Sequence, residues 1–160
     1  MSAVRRLNHA VLYVRDARRS AAFYGEAFGF EVLAEYGDGA AVFLRAAGTE
    51  NHHDLGLFSL GAQAPPPQPG RVGLYHLAWQ VDTIQDLAEM RARLVQMGAF
   101  VGESDHGVSK SLYGQDIDGI EFEVLWTVPR EDWGDYEKNA VSQPLDLGAA
   151  VTRYGTRAAR

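Results

Sequence analysis

Two histidines and one glutamate have the types and spacing of a metal site. His9 lies in LNHAVLYV (7–14) and His76 in LYHLAWQV (74–81), third in each strand-like stretch and 67 residues apart. Glu123 lies inside the apolar stretch IEFEVLW, and an acidic side chain that faces inward between core strands needs a partner such as a metal. Two imidazoles and one carboxylate on one side of an ion form the facial triad of non-haem iron(II), which leaves positions open for substrate and oxygen.

A strand histidine taken alone is more often a hydrogen-bonded core residue than a ligand. Two histidines at equivalent places in a repeat, with a carboxylate in an apolar strand, favour the metal. Side chains alternate along a strand, so Glu121, Glu123 and Leu125 are predicted on one face of the last strand. The opposite face is predicted to carry Phe122, Val124 and Trp126.

The elements that position these residues also repeat. Asp16 is placed to cap a helix through ARRSAAFYGEAF that Gly29 ends. Asp82 or Thr83 is placed to cap a helix through IQDLAEMRARLVQM that Gly98 ends. Three short strand signals follow each helix, so each half reads β-α-β-β-β. The aromatic residues assigned to the core are Tyr24, Tyr36, Trp79 and Phe122.

The predicted fold class is α+β. A βαβββ half cannot close its own core, so we expect two paired modules whose curved mixed sheets form a barrel-like cup around the metal. Residues 64–70, APPPQPG, favour an extended linker because three consecutive prolines oppose helix and central strand. We expect a single domain over 1–160, with module one at about 5–62, a linker at 63–71, module two at about 72–127 and a C-terminal tail at 128–160.

Composition excludes several classes of function. The chain of 160 residues has 46% hydrophobic residues, 22% charged residues, a formal charge of −6 and no cysteine. Disulfides, thiolate metal sites and cysteine nucleophiles are therefore excluded, and a cytoplasmic location is expected. No basic cluster is dense enough for nucleic acid. No apolar run is long enough to cross a membrane, and no secretory signal is recognised at the N-terminus.

The same residues carry a resemblance to the vicinal oxygen chelate superfamily, which includes glyoxalases, bleomycin resistance proteins and extradiol dioxygenases. NHAVLYVRD…AAFYGEAFGFEV resembles its opening strand and helix. YGQDIDGIEFEVLW resembles its closing Asp-Pro-Asp-Gly-Asn-x-x-Glu motif, with Ile117 and Ile120 in place of proline and asparagine and with Glu123 matching the ligand. Within the superfamily the chain resembles type I extradiol dioxygenases of the catechol 2,3-dioxygenase kind, and the tail PREDW…PLDL shares this resemblance.

The resemblance implies three further site residues. NHHDLGLF at 51–58 resembles the segment that carries the acid–base histidine, and His53, next to Asp54, is the matching residue rather than His52. HGVSKSLYGQD resembles the segment that brings a histidine and a tyrosine to bound catechol, here His106 and Tyr113.

The implied reaction is cleavage of the ring of a catechol-type diol by O2. Fe(II), with Mn(II) as the alternative, would be held by His9, His76 and Glu123. His53 would take up a substrate proton and later return it. Tyr113 would hydrogen-bond a substrate oxygen, and His106 would orient the substrate or help to deprotonate it. A homodimer is a possible assembly.

Two other functions remain open on the same scaffold. A glyoxalase-like lyase or isomerase adds a second carboxylate at the repeat equivalent of Glu123, which is Gly56, with Asp54 the only acid close by. A bleomycin-resistance-like protein binds a small molecule without metal chemistry and often lacks the complete triad.

Overall fold

The computed structural model describes residues 3–155. The chain forms two compact units, Met1–Pro67 and Gln68–Arg160. The single-domain interpretation stays a prediction, and its outermost residues, 1–2 and 156–160, lie outside the described part. No helix among the described residues has the length and apolar character needed to span a membrane.

Unit 1 is a βαβββ module. Its elements are β1 (Ala10–Val14), α1 (Ala17–Phe28), β2 (Glu31–Tyr36), β3 (Ala41–Arg45) and β4 (Leu55–Ser59). The strands form one sheet in the order β1-β4-β3-β2, in which β1 and β4 run parallel and the other pairs antiparallel.

Unit 2 repeats this topology. Its module contains β5 (Leu77–Gln80), α2 (Ile84–Gln96), β6 (Phe100–Asp105), β7 (Ser109–Gln115) and β8 (Glu121–Thr127). The sheet order is β5-β8-β7-β6, again with one parallel pair. Both sheets also carry a register shift in the same place, between Val32 and Ala34 in unit 1 and between Phe100 and Gly102 in unit 2.

The predicted α+β class with two βαβββ modules is therefore confirmed, and each described sheet is open rather than closed into a barrel. The tail contains two short 3-10 turns and the helix α3 (Leu147–Tyr154).

Local signals set the helix ends as predicted. The Asp16 side chain accepts a hydrogen bond from the first turn of α1, and Gly29 ends that helix in the left-handed conformation, with φ of 73°. At α2 the cap is Thr83, which forms a reciprocal capping box with Asp86. Gly98, with φ of 68°, follows the last turn of α2.

The predicted alternation along β8 is confirmed. Phe122, Val124 and Trp126 are at most 1% exposed, on the face of the sheet that α2 covers. Gly114 of β7 lies opposite Phe122, and a Cβ atom there would overlap the Phe122 ring. Glycine at this position therefore lets the Phe122 ring pack across β7. Glu123, the next residue of β8, points to the opposite face of the sheet.

Two local predictions were wrong. Tyr36 was assigned to the core but is 74% exposed, because β2 is an edge strand whose residues are all exposed. Both histidine-bearing stretches were predicted to be strand-like with the histidine inside the strand, but His9 and His76 directly precede β1 and β5. In each unit the first strand pairs in parallel with the last strand, and this pairing begins only at Ala10 and at Leu77.

Candidate metal and catalytic site

The structure brings His76 and Glu123 together in unit 2. His76 directly precedes β5, and Glu123 lies on β8 opposite Ala78 of the parallel neighbour β5. The Nε2 atom of His76 and the Oε2 atom of Glu123 are 3.1 Å apart. Glu123 is 9% exposed, so its carboxylate needs a positive or hydrogen-donating partner.

This pair fits a divalent cation. Two ligand atoms that each lie about 2.1 Å from an ion, at a right angle, are about 3 Å apart. The Nδ1 atom of His76 is buried and has no hydrogen-bond partner among the described residues, and a Glu121 oxygen lies 4.0 Å from it. Ligating histidines usually turn their second ring nitrogen towards a carboxylate, carbonyl or water. The imidazole and carboxylate are donors that suit iron(II) or manganese(II).

Tyr113 stands beside this pair. It lies on β7 directly opposite Glu123, and its ring centroid is 5.9 Å from that of His76. The Tyr113 hydroxyl is 2.7 Å from Nε2 of His106. Burial, followed by the negative charge of Glu123, raises the pKa of Tyr113 above its ordinary value. The phenol is therefore protonated at neutral pH.

His106 occupies the turn between β6 and β7. Its backbone N–H donates to the carbonyl of Ser109, and the next N–H, that of Gly107, donates to the Asp105 side chain. The Nδ1 atom of His106 is 2.8 Å from the carbonyl oxygen of Val141 in the tail. Both ring nitrogens are therefore engaged, so the direction in which the ring points is fixed.

His9 and His53 meet in unit 1, with ring centroids 4.5 Å apart. The His53 ring also contacts Phe43, at 5.1 Å, and its Nδ1 atom is 3.1 Å from Nδ1 of His52. Burial lowers the pKa of His53, and the neighbouring His9 and His52 lower it further, against a smaller opposing effect of Asp54. His53 is half-buried whereas His52 is exposed, which favours His53 as the functional member of the pair.

Asn51 organises the segment that carries His53, and sequence reasoning missed it. Its side-chain oxygen accepts from Arg6 (2.8 Å) and from the Asn8 amide (3.1 Å), and its amide donates to the Asn8 carbonyl (2.9 Å) and to Asp54 (2.7 Å). Asn51 thereby ties the residue before His9 to the loop that ends in His53. The sequence gives only a weak signal for it, an amide directly before two histidines.

Gly56 is the register equivalent of Glu123. It pairs with Val11 in the parallel ladder of unit 1, as Glu123 pairs with Ala78 in unit 2. The only nearby acid, Asp54, is engaged: it accepts from the Ala46 N–H as well as from the side chains of Thr49 and Asn51. Unit 1 therefore offers no carboxylate at the position where unit 2 has one.

The predicted residues thus fall into two neighbourhoods. Unit 2 groups His76 and Glu123 with Tyr113 and His106; unit 1 groups His9 with His53. Within each unit, the described residues contain no group of three or more His, Asp or Glu side chains able to hold a metal ion by itself. The predicted triad draws one ligand from unit 1 and two from unit 2, and it stays a prediction.

The repeated βαβββ topology defines the class of fold, and comparison with known proteins gives the family. Residues 6–124 match the family model of the glyoxalase/bleomycin resistance protein/dioxygenase superfamily. The chain belongs to this superfamily, which confirms the resemblance in its motifs.

The curated relatives include dioxygenases. A catechol-2,3-dioxygenase of Bacillus subtilis is 33% identical over 143 residues, which are 84% of this chain and 46% of that protein. The chain thus spans about half the length of that relative. A biphenyl-2,3-diol 1,2-dioxygenase of Rhodococcus globerulus is 30% identical over 127 residues, 68% of this chain and 67% of that protein.

Solved structures show the same fold. A glyoxylase/bleomycin resistance protein/dioxygenase domain from Frankia has a TM-score of 0.66 at 24% identity, with 79% of this chain and all of that chain covered. A lactoylglutathione lyase from Agrobacterium tumefaciens has a TM-score of 0.56 at 26% identity, with 76% and 92% covered. Proteins with different names therefore share this fold, so the fold does not distinguish between their activities.

Proposed function

We propose that this protein is a metal-dependent extradiol dioxygenase that cleaves the ring of a catechol-type substrate with O2. The metal is iron(II), with manganese(II) as the alternative. Its ligands are His9 from unit 1 and His76 and Glu123 from unit 2. The dioxygenase relatives, whose names specify aromatic diols, support this choice of substrate class.

One observation carries the proposal. The His76–Glu123 pair, with its 3.1 Å separation, lies beside a tyrosine that is bonded to a histidine. The first pair suits a cation, and the second suits the hydroxyl of a bound phenol. A binding protein without metal chemistry has no need of both pairs side by side.

The case for His9 as third ligand comes from the repeat. His9 lies two residues before Val11, and His76 lies two residues before Ala78, the residues that pair with Gly56 and Glu123. Its Nδ1 atom is 2.9 Å from the Asn8 side-chain oxygen, an outer contact of the kind that orients a ligating imidazole.

The side chains have distinct roles in this proposal. A bound metal supplies a common site for diol and oxygen and a path for electrons between them. His53, whose lowered pKa keeps it neutral at physiological pH, accepts a proton from a diol hydroxyl and later returns it. Tyr113 hydrogen-bonds a substrate hydroxyl, and His106 orients that contact through its own hydrogen bond to the Tyr113 hydroxyl. The Phe43 ring packs against His53 and shields it from water.

The lyase or isomerase alternative needs a second carboxylate, and the structure weakens it. Gly56 has no side chain to offer, and Asp54 is held by hydrogen bonds within its own loop. The bleomycin-resistance-like alternative predicts ligand binding that is indifferent to metal. The lack of cysteine suits a reducing cytoplasm, where we place the protein, and the homodimer stays a prediction.

The test is anaerobic reconstitution of the purified protein with iron(II) or manganese(II), followed by oxygen and a panel of catechols. The proposal predicts oxygen uptake and a yellow ring-opened product with at least one diol, and loss of both in Glu123→Ala. Binding of catechols with equal affinity in metal-loaded and chelator-treated protein, without oxygen uptake, would support the binding module instead.

A further inference from the structure

The tail holds a short segment, residues 141–143, against the edge strand β6; we call it the tail strap. Asp105 and Gln143 exchange two backbone hydrogen bonds of 2.9 Å, which form an isolated antiparallel bridge. The Ser104 and Ser142 hydroxyls are 2.8 Å apart beside it. The strap thus places the carbonyl of Val141 at a fixed position next to His106.

This carbonyl determines where the His106 proton resides. The Val141 oxygen, 2.8 Å from Nδ1, can only accept a hydrogen bond, so Nδ1 must carry the hydrogen. A neutral imidazole has a single N–H, which leaves Nε2 with a lone pair. The strap therefore selects one of the two neutral tautomers of His106.

The tautomer in turn sets the direction of the bond to Tyr113. Because Nε2 is an acceptor, the Tyr113 hydroxyl at 2.7 Å must be the donor. A phenol has one hydrogen, so this bond uses it. The Tyr113 oxygen then offers only lone pairs to any further partner.

We propose that the tail strap fixes His106 as the Nδ1–H tautomer and thereby makes Tyr113 a hydrogen-bond acceptor towards the ligand. This inference rests on the proposed function and specifies it: Tyr113 recognises a ligand group that brings its own hydrogen. A diol hydroxyl qualifies, whereas an ether, a carbonyl or an ionised oxygen at the same place does not. Val141 and Gln143 act through His106 and are positioning residues.

A second tail contact supports the arrangement. Gly107, with φ of 75°, follows His106, and a Cβ atom there would overlap the Tyr136 ring. The tail thus packs on the turn of His106 at two points, Tyr136 above Gly107 and Val141 beside the imidazole. The backbone of the turn cannot move away from the tail without disturbing both contacts.

The test is long-range ¹H–¹⁵N correlation NMR of metal-free protein labelled with ¹⁵N-histidine, at mildly alkaline pH. The signals of His106 are assigned by their loss in His106→Gln. We expect a pyrrole-type Nδ1, a pyridine-type Nε2, and coupling of Nε2 to a hydroxyl hydrogen that disappears in Tyr113→Phe.

Two variants of the tail strap test whether its backbone bridge, rather than its side-chain contact, positions His106. Gln143→Pro removes the N–H that donates to Asp105 and should give a mixture of tautomers. Ser142→Ala removes only the hydroxyl contact with Ser104 and should leave the wild-type spectrum.

An Nε2–H tautomer in the wild type, or a wild-type spectrum in Gln143→Pro, would overturn the inference. Neither result bears on turnover. An inactive protein with the expected spectrum would overturn the dioxygenase proposal alone.

Discussion

Gly56 and Glu123 occupy the same position in the last strands of two equivalent sheets, and only Glu123 has a side chain that could bind a metal. Each pairs in parallel with the residue that lies two places after a histidine, and each pairs in antiparallel with an aromatic residue, Phe43 or Tyr113. Both halves thus have a histidine at this place, and only one has a carboxylate. Under the proposed ligand set, we expect the glycine to leave a metal position free for substrate or oxygen.

Filling that position should abolish turnover. We expect Gly56→Glu to bind iron(II) at least as tightly as the wild type and to lose ring cleavage, because a fourth protein ligand would occupy a position that the diol or oxygen needs. Gly56→Ala is the control, since its Cβ atom would meet Phe43 and Val11 at 3.5 Å, an ordinary contact. Full ring cleavage by Gly56→Glu, measured by oxygen uptake, would refute the role assigned to this position.

The two adjacent histidines should differ sharply in activity. His53 is half-buried against His9 and Phe43, whereas His52 is exposed. Loss of a positioned acid–base group costs about 100-fold or more in kcat, so we expect that loss in His53→Ala and little change in His52→Ala. The check is steady-state kinetics of the two variants at matched metal content. Equal effects of both substitutions would remove His53 from the mechanism.

His53 should also titrate below an ordinary histidine. Burial and the neighbouring imidazoles disfavour its cation, so in metal-free protein the midpoint of its ring-proton NMR signals is expected below the usual value of about 6.5. Unfolding restores the ordinary pKa, so the unfolded chain binds more protons near that pH. His53 therefore lowers the free energy of unfolding as the pH falls through about 6.5. A midpoint at or above the ordinary value would contradict the burial of the ring.

Asn51 should matter for stability more than a surface amide does. It is 9% exposed, and three of its four side-chain hydrogen bonds join Arg6 and Asn8, just before β1, to the loop before β4, while the fourth goes to Asp54 in that loop. Asn51→Ala removes these hydrogen bonds, each of which contributes about 0.5–1.5 kcal/mol net, so we expect the free energy of unfolding to fall by about 1–3 kcal/mol. Asn139→Ala, which removes one exposed bond to the Asp135 carbonyl, should cost no more than about 0.5 kcal/mol. Urea denaturation of both variants gives the comparison, and equal midpoints would deny Asn51 this role.

The repeat made most of the fold predictable. Helix caps, terminating glycines and strand alternation are local signals, and Asp16, Thr83 and the two faces of β8 appear where these signals placed them. The predicted offset between the two halves is also confirmed, because the strand registers place Gly56 and Glu123 at equivalent positions. These features depend on residue periodicity and on hydrogen bonds between residues close in the chain, and a single sequence shows which residues can form them.

The parts of the site that escaped prediction depend on contacts between distant residues. Asn51 meets Asn8 across 43 positions, and His106 meets Val141 across 35. Neither contact leaves a periodic pattern, and one of them uses a backbone carbonyl that every residue type has. The exposure of Tyr36 was missed for a related reason, because the position of β2 at the sheet edge depends on the order of all four strands.

The most direct test of the proposed metal centre is anaerobic titration with iron(II) of the wild type and of His9→Ala, His76→Ala and Glu123→Ala, with His52→Ala as the control histidine. One ion per chain should bind to the wild type and to the control. Each ligand variant should bind at least about 10-fold more weakly, since even outer contacts of a metal site contribute that much. Wild-type affinity in any one of the three ligand variants would contradict the triad.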